Sequence, residues 1–247
     1  VRIPLNENIV SQLGFKAAWF QKRIDWDDFV FSDALDERYG NIYQTGFQRP
    51  DRDVLNMPDF GVGGIVQFAN TMGSLSGNIG FAVDHLFEPD QSFVQTAKAP
   101  IPRKYVGHID FIYALGSSSG FNQVSDDALK LNPGLIYQSQ GGLNAIQVGM
   151  NLTKFGVYLG LWYKSAFGDY ANNTLAMLGG YKYVFADNIG VKFTYSYDME
   201  LSGALMGTGG AHEITLSVDL NSSSNQGTSR RTGRRGSYDS RLECSEF

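Results

Sequence analysis

The sequence predicts an all-β fold: a transmembrane, antiparallel, up-and-down β-barrel. Three observations carry that expectation. Strand-sized segments alternate apolar and polar residues with a period of two, not the period of a helix. Most of these segments run to about ten residues, enough for a tilted strand to cross a bilayer, whereas strands of globular proteins are nearer five or six. The composition also suits strands and tight turns beneath a sparsely charged surface, with 29 Gly, 17 Phe and 13 Tyr among 247 residues and 18% charged.

Taken in order, the expected strands cover residues 11–22, 60–69, 77–87, 104–115, 128–138, 141–151, 155–165, 173–184, 188–198 and 211–220. In "FGVYLGLWYKS" (155–165) Phe155, Val157, Leu159, Leu161 and Tyr163 share one face. The other face takes Gly156, Tyr158, Gly160, Trp162 and Lys164. In "NIGVKFTYSYD" (188–198) Ile189, Val191, Phe193, Tyr195 and Tyr197 oppose Gly190, Lys192, Thr194, Ser196 and Asp198. The last strand sets His212, Ile214, Leu216, Val218 and Leu220 against Ala211, Glu213, Thr215, Ser217 and Asp219. The greasy face is expected to meet lipid, with Tyr105, Tyr113, Tyr163, Tyr183, Phe185 and Tyr197 as girdle aromatics.

The wet face repeatedly carries a lone charge or amide. Asp84, His108, Asp110, Lys182, Lys192, Asp198 and Glu213 are expected to form a polar network in the barrel lumen, together with Lys16 and Gln147. So many inward polar groups would be costly in a sandwich core. Cross-strand ion pairs among Lys182, Lys192, Asp198, Glu213 and Asp219 are the simplest account.

Connections alternate in length. Those near 153–154 and 186–188 are tight, whereas 25–59, 88–103, "AFGDYANN" and "ELSGALMGTG" are longer, as short periplasmic turns and long outer loops require. The short "SQGG" and the 116–127 loop depart from that rule. The expected domains are a barrel over 1–220 and a flexible Arg, Ser and Gly-rich periplasmic tail over 221–247, with both ends periplasmic for an even strand count. The opening "VRIPLNENIV" reads as the continuation of a longer chain.

Other chemistries find little support. No run of about eighteen apolar residues is available for a spanning helix. A net charge of -5 argues against a nucleic-acid partner, and the single Cys244 supplies neither a disulfide framework nor a metal cluster. "GSSSG" (116–120) matches G-x-S-x-G but lacks the strand-to-helix turn of a nucleophile elbow, and His85, His108 and His212 lie on different strands with no helical zinc spacing. Asp25, Asp27 and Asp28 lack the glycine of an EF-hand and read as a solvated loop. No catalytic residue, cofactor-binding residue or metal ligand is assigned.

A Gly-rich segment followed by "HEI" and an alternating last strand, preceded by "GLWYKS" and "YSYD", resembles the C-terminal end of the PorP/SprF family, outer-membrane proteins of the Bacteroidetes type IX secretion and gliding machinery. "FQKRIDWDDFVFSDALDERYG", "PDFGVGGIVQF" and "HLFEPDQSFVQTAKAPIPRKYVGHIDF" resemble that family's first half in the right order, and "LECSEF" resembles the end of some members. The likeness runs from about Phe15 to the end, with Gly210, His212 and Glu213 as the motif. It implies a complete barrel of about fourteen strands, of which about ten are recognisable.

The resemblance also implies a non-enzymatic role, in one of two forms. One branch of the family belongs to the core secretion apparatus, joined to periplasmic peptidoglycan-bound components. The other pairs each barrel with a secreted surface protein or adhesin through that partner's C-terminal sorting domain. The long outer loops favour the second, with Trp26, Asp27, Asp28, Phe47, Arg49, Pro89, Asp90, Phe93 and Pro102 as partner-binding residues. A diffusion porin or lipophilic-substrate channel and a soluble lectin-like sandwich are the competing readings. The first predicts conductance by the barrel alone, the second solubility without detergent.

Overall fold

The computed structural model describes residues 2–70, 74–115, 128–168, 171–185, 189–202 and 209–220. Its strands are β1 (Arg2–Asn6), β2 (Ile9–Arg23), β3 (Leu35–Asp36), β4 (Gly40–Asn41), β5 (Val54–Ala69), β6 (Leu75–Asp84), β7 (Lys104–Leu115), β8 (Leu129–Gln140), β9 (Leu143–Lys154), β10 (Val157–Phe167), β11 (Asn172–Phe185), β12 (Ile189–Glu200) and β13 (Ala211–Leu220). Eleven of them form one sheet in the order β1-β2-β5-β6-β7-β8-β9-β10-β11-β12-β13, and β3 pairs with β4 in a hairpin of its own. Sheet neighbours are therefore neighbours along the chain, apart from that hairpin. The registers from β8 to β13 are antiparallel throughout. Successive antiparallel strands alternate their connections between the two ends, so 24–53 and 85–103 leave from the same end.

The chain divides into two compact units. The larger comprises 1–14, 63–82 and 105–247 and holds β8 to β13 entire. Its apolar face is the exposed one. On β10, Leu159 and Leu161 are 60% and 50% exposed, whereas Tyr158 between them and the turn is 8% exposed. Phe193 and Tyr195 on β12 and Ile214, Leu216 and Val218 on β13 are likewise exposed. In water each such aliphatic residue would forgo about 1.5–3 kcal/mol of burial. Lipid removes that penalty, and the arrangement is that of an outer-membrane barrel wall, with the polar residues on the other side.

The polar face is packed rather than merely wetted. Trp162 lies directly opposite Gly149, and a Cβ there would stand 2.6 Å from the indole and against the Leu161 carbonyl. Tyr158 likewise covers Gly180, and its hydroxyl reaches the Phe193 carbonyl at 3.0 Å and the Thr194 hydroxyl. The missing side chains leave room for a ring to lie flat across the neighbouring strand. Trp162 Nε1 then donates to Asn151 Oδ1 at 3.1 Å, so the buried amide is satisfied.

Several boundaries differ from the sequence expectation. β5 begins at Val54, so Pro58 and Asp59 belong to a strand and not to the 25–59 loop. Its alternation is concealed because Asn56 and Pro58 occupy the apolar face while the deeply buried Asp59 occupies the other. The turn placed at 153–154 is instead Phe155–Gly156, both with positive φ (51° and 76°), so Phe155 leaves the apolar strand face. Arg2–Asn6 forms an additional strand paired to β2. The "GSSSG" segment, the 116–127 loop and the 221–247 tail lie outside the described residues.

Two outcomes follow. Leu161→Arg, on the exposed apolar face, should destabilise the membrane-embedded form by about 2–4 kcal/mol, read by denaturant unfolding in bilayers; a neutral result would show that this face meets water. Gly149→Val should abolish the heat-modifiable band in gel electrophoresis, because neither the Leu161 carbonyl nor the indole can yield.

Candidate functional site

The smaller unit comprises 15–62 and 83–104 and carries both long connections on the ends of β2, β5 and β6. The first connection closes where Ile24 N donates to the Asp53 carbonyl at 2.9 Å. Between these residues the chain makes single 3₁₀ turns at Trp26–Asp28 and Ser32–Ala34 and then the β3–β4 hairpin. Short carboxylates hold it. Asp36 accepts from Arg38 N, Tyr39 N and the Tyr43 hydroxyl at 2.8, 2.9 and 3.0 Å, and Asp33 accepts from Gly46 N at 2.7 Å. The Asp36 contacts form an Asx turn, in which an aspartate replaces the backbone acceptor of a tight turn, whereas Asp33 braces a residue thirteen positions on.

Aromatic rings gather on this frame. Trp26 sits 4.9 Å from Phe31 and 6.1 Å from Phe29, and Phe31 stacks on Phe47 at 5.0 Å. Arg49 reaches Asp53 at 2.8 Å and Asp27 at 3.5 Å, pinning the return of the loop to the 3₁₀ turn. Trp26, Asp27, Phe47 and Arg49 are thus assembled into one network with Phe29 and Phe31, while Asp28 is exposed beside it.

The second connection is also ordered. Asp90 accepts from Ala99 N at 2.8 Å and Ser92 N at 3.1 Å, and Gln91 N and Ile101 N pair with the Ala99 and Pro89 carbonyls, each at 3.0 Å. Gln95 N donates to Asp51 at 2.7 Å, which ties the two connections together, and Lys22 on β2 donates to Gln91 at 2.6 Å. Pro89 and Asp90 line a shallow cleft of about 300 Å³ with Met57, Pro58, Phe60 and Phe87. Phe93 is half-buried and Pro102 exposed. Below, Lys16 pairs with Asp84 at 3.0 Å, and His85 Nδ1 stands 3.1 Å from Asp59, which is 1% exposed.

In the larger unit the polar residues lie along the inner strand faces. Asn78 donates to Asp110 at 2.9 Å, and the His108 ring occupies the space above Gly80. Lys182 meets Asp219 at 3.7 Å, Lys164 meets Asp198 at 2.7 Å, and the Lys192 ammonium stands 4.7 Å from the Tyr158 ring centre. Glu213 accepts from the Thr215 hydroxyl at 3.1 Å. At Gly210, which has φ 78°, an added Cβ would run into the Asp198 carbonyl and stand 2.9 Å from the Tyr197 ring. His212 then stacks on Tyr197 at 4.6 Å, and its Nδ1 shares a 2.7 Å hydrogen bond with the Tyr195 hydroxyl.

Sequence reasoning passed over Lys164 as a partner of Asp198, the Asp59–His85 contact, Phe31, the loop-bracing Asp33 and the turn-forming Asp36. The "DERYG" string does carry a signal for Asp36, an aspartate opening a turn that a glycine closes. The Asp59–His85 contact has none, since it joins a residue of β5 to one just past the end of β6.

The loop carboxylates set a pH window. Asp36 and Asp90 are held below their ordinary 3.8 by the backbone N–H groups they accept from, and Asp53 by Arg49. The folded loops therefore bind fewer protons than the unfolded ones, and this stabilisation is present above about pH 4 and lost as pH falls through the lowered values. Hydrogen exchange at Arg38, Tyr39 and Ala99, corrected for intrinsic rates, should be flat from neutral pH to about 4 and accelerate below it. Asp36→Asn should remove that acceleration at Arg38 and Tyr39 and leave it at Ala99.

Compared with known proteins, residues 1–218 match the model of a family described as type IX secretion system membrane protein PorP/SprF. The match begins ahead of Phe15 and stops before the Arg-rich tail, so "LECSEF" lies outside it. No curated protein matches the chain.

Proposed function

Because the chain belongs to the PorP/SprF family of type IX secretion system membrane proteins, we propose that it is an outer-membrane barrel that binds a cell-surface protein, such as an adhesin, through that partner's C-terminal sorting domain and secretes or anchors it. Family membership makes it a secretion-system membrane protein, with the other components of that system as implied partners, and the family is not one of enzymes. The finer role is our inference. On this reading the two long loops face outward and the C-terminal end of β13 is periplasmic.

One observation carries this reading: the two long connections form an ordered unit with its own aromatic cluster and carboxylate frame, tied by Gln95 to Asp51. A passive channel gains nothing from ordering about fifty loop residues, at roughly 1 kcal/mol or more of backbone entropy each. A docking platform gains preorganisation, which reduces the entropy lost on binding.

Gentle detergent purification from the native outer membrane, followed by mass spectrometry, should yield a large surface protein in stoichiometric amount. Secretion components alone would instead place the chain in the core apparatus, and a solitary barrel that conducts ions would make it a porin. Deleting 88–103 should abolish partner binding and leave a heat-modifiable barrel; a partner retained by the deletion variant would remove that loop from the interface.

A further inference from the structure

Residues 24–53 expose an unusual amount of apolar surface for a segment held by so many polar contacts. Phe29, Val30 and Phe47 are 52%, 58% and 57% exposed, and Leu35, Tyr39, Ile42 and Tyr43 are also open to solvent. These residues do not have the lipid-facing excuse of β10 or β13, because they sit on turns and a hairpin between the ends of β2 and β5 and not on a spanning strand. Nor are they loosely held. Asp33, Asp36 and Arg49 fix the backbone from which they project, and the Trp26–Phe31–Phe47 stack fixes their base. Phe29 and Phe47 both meet Phe31, at 6.1 and 5.0 Å, and an apolar cluster kept rigid and open is the signature of a site for a partner.

The charge around it selects the partner. This segment holds eight Asp and Glu against three Arg, an excess of five negative charges. Asp36 and Asp53 are held ionised by their bonding, and Asp27 and Asp28 flank the Trp26–Phe29 rings with their side chains in solvent. A lipid surface would satisfy the rings, but its phosphate groups would be repelled. A small cation would satisfy the carboxylates and leave the rings wet. A peptide that interleaves ammonium or guanidinium groups with large aliphatic side chains satisfies both, since its apolar groups cover Phe29, Val30 and Phe47 while its cations meet the carboxylate rim.

We propose that the face formed by Phe29, Val30, Phe47 and the flanking Asp27 and Asp28 docks a basic segment of a protein partner, with Lys or Arg interspersed among aliphatic residues. This rests on the reading of the chain as a surface-protein binder and names the chemistry by which the partner is gripped. Apolar contact supplies the affinity and charge the choice of partner, so like-charged segments are rejected at the same surface.

The test uses the full chain purified in detergent and three short synthetic peptides, one alternating Lys with Leu, one Glu with Leu and one Lys with Ser. The Lys/Leu peptide should bind at least about tenfold more tightly than either of the others, a difference of about 1.4 kcal/mol. Phe29→Ser with Val30→Ser should lower its affinity about tenfold at any salt concentration. Asp28→Lys should lower its affinity and flatten the salt dependence of binding, a result that separates charge from apolar contact. Both variants alter exposed side chains, and an unchanged heat-modifiable band checks their folding. Equal binding of the Lys/Leu and Glu/Leu peptides, or binding indifferent to both variants, would overturn the proposal. Should peptide discrimination fail while a surface protein still co-purifies with the barrel, the functional reading stands and this face is not the grip. Should discrimination hold while no surface protein co-purifies, the functional reading falls and the basic-segment site remains.

Discussion

The structure depends on one constraint: the sheet must place its apolar face against lipid. Every strand from β10 to β13 obeys it, with Leu159, Leu161, Phe193, Ile214 and Leu216 exposed on one side. Hydrocarbon also forbids unpaired backbone groups, which is why the strands pair in an unbroken up-and-down succession. Both demands fall on the same strands, and a period of two answers them together, since the backbone bonds run within the sheet while the side chains alternate across it.

Turning the greasy face outward leaves the inner face with polar residues that must still be packed and satisfied. Two devices achieve this. Trp162 over Gly149 and Tyr158 over Gly180 fill space with rings whose polar ends reach Asn151 and the Phe193 carbonyl. Cross-strand ion pairs, Lys164 with Asp198 and Lys182 with Asp219, neutralise charges that would otherwise be stranded between strands. Glycine is costly in a strand, and here that cost is offset by the close approach of an aromatic ring.

In the smaller unit the logic reverses. The smaller unit has few buried apolar residues, Leu55, Met57 and Ala34 among them, and is organised mainly by short carboxylates that cap turns. Asp33, Asp36 and Asp90 each replace a missing secondary-structure partner, and Arg49 closes the loop on Asp27 and Asp53. Carboxylates used in this way leave the aromatic side chains free for contact, which is how a polar frame can present an apolar surface.

By itself the sequence determined the all-β class, the strand count to within the short β1 and the β3–β4 hairpin, the apolar faces of β10, β12 and β13 apart from Phe155, and the family. These follow from local alternation and motif strings, which are readable residue by residue. It also named Trp26, Phe47 and Arg49 as members of a long loop, without the contacts that join them. What only the tertiary structure decided was pairing. Lys164 with Asp198, Trp162 over Gly149, Asp59 beside His85 and the joining of the two long loops through Gln95 and Asp51 all link residues on different strands or loops. Register and loop closure set those partners, and a period of two fixes which face a residue occupies without fixing which neighbour it meets.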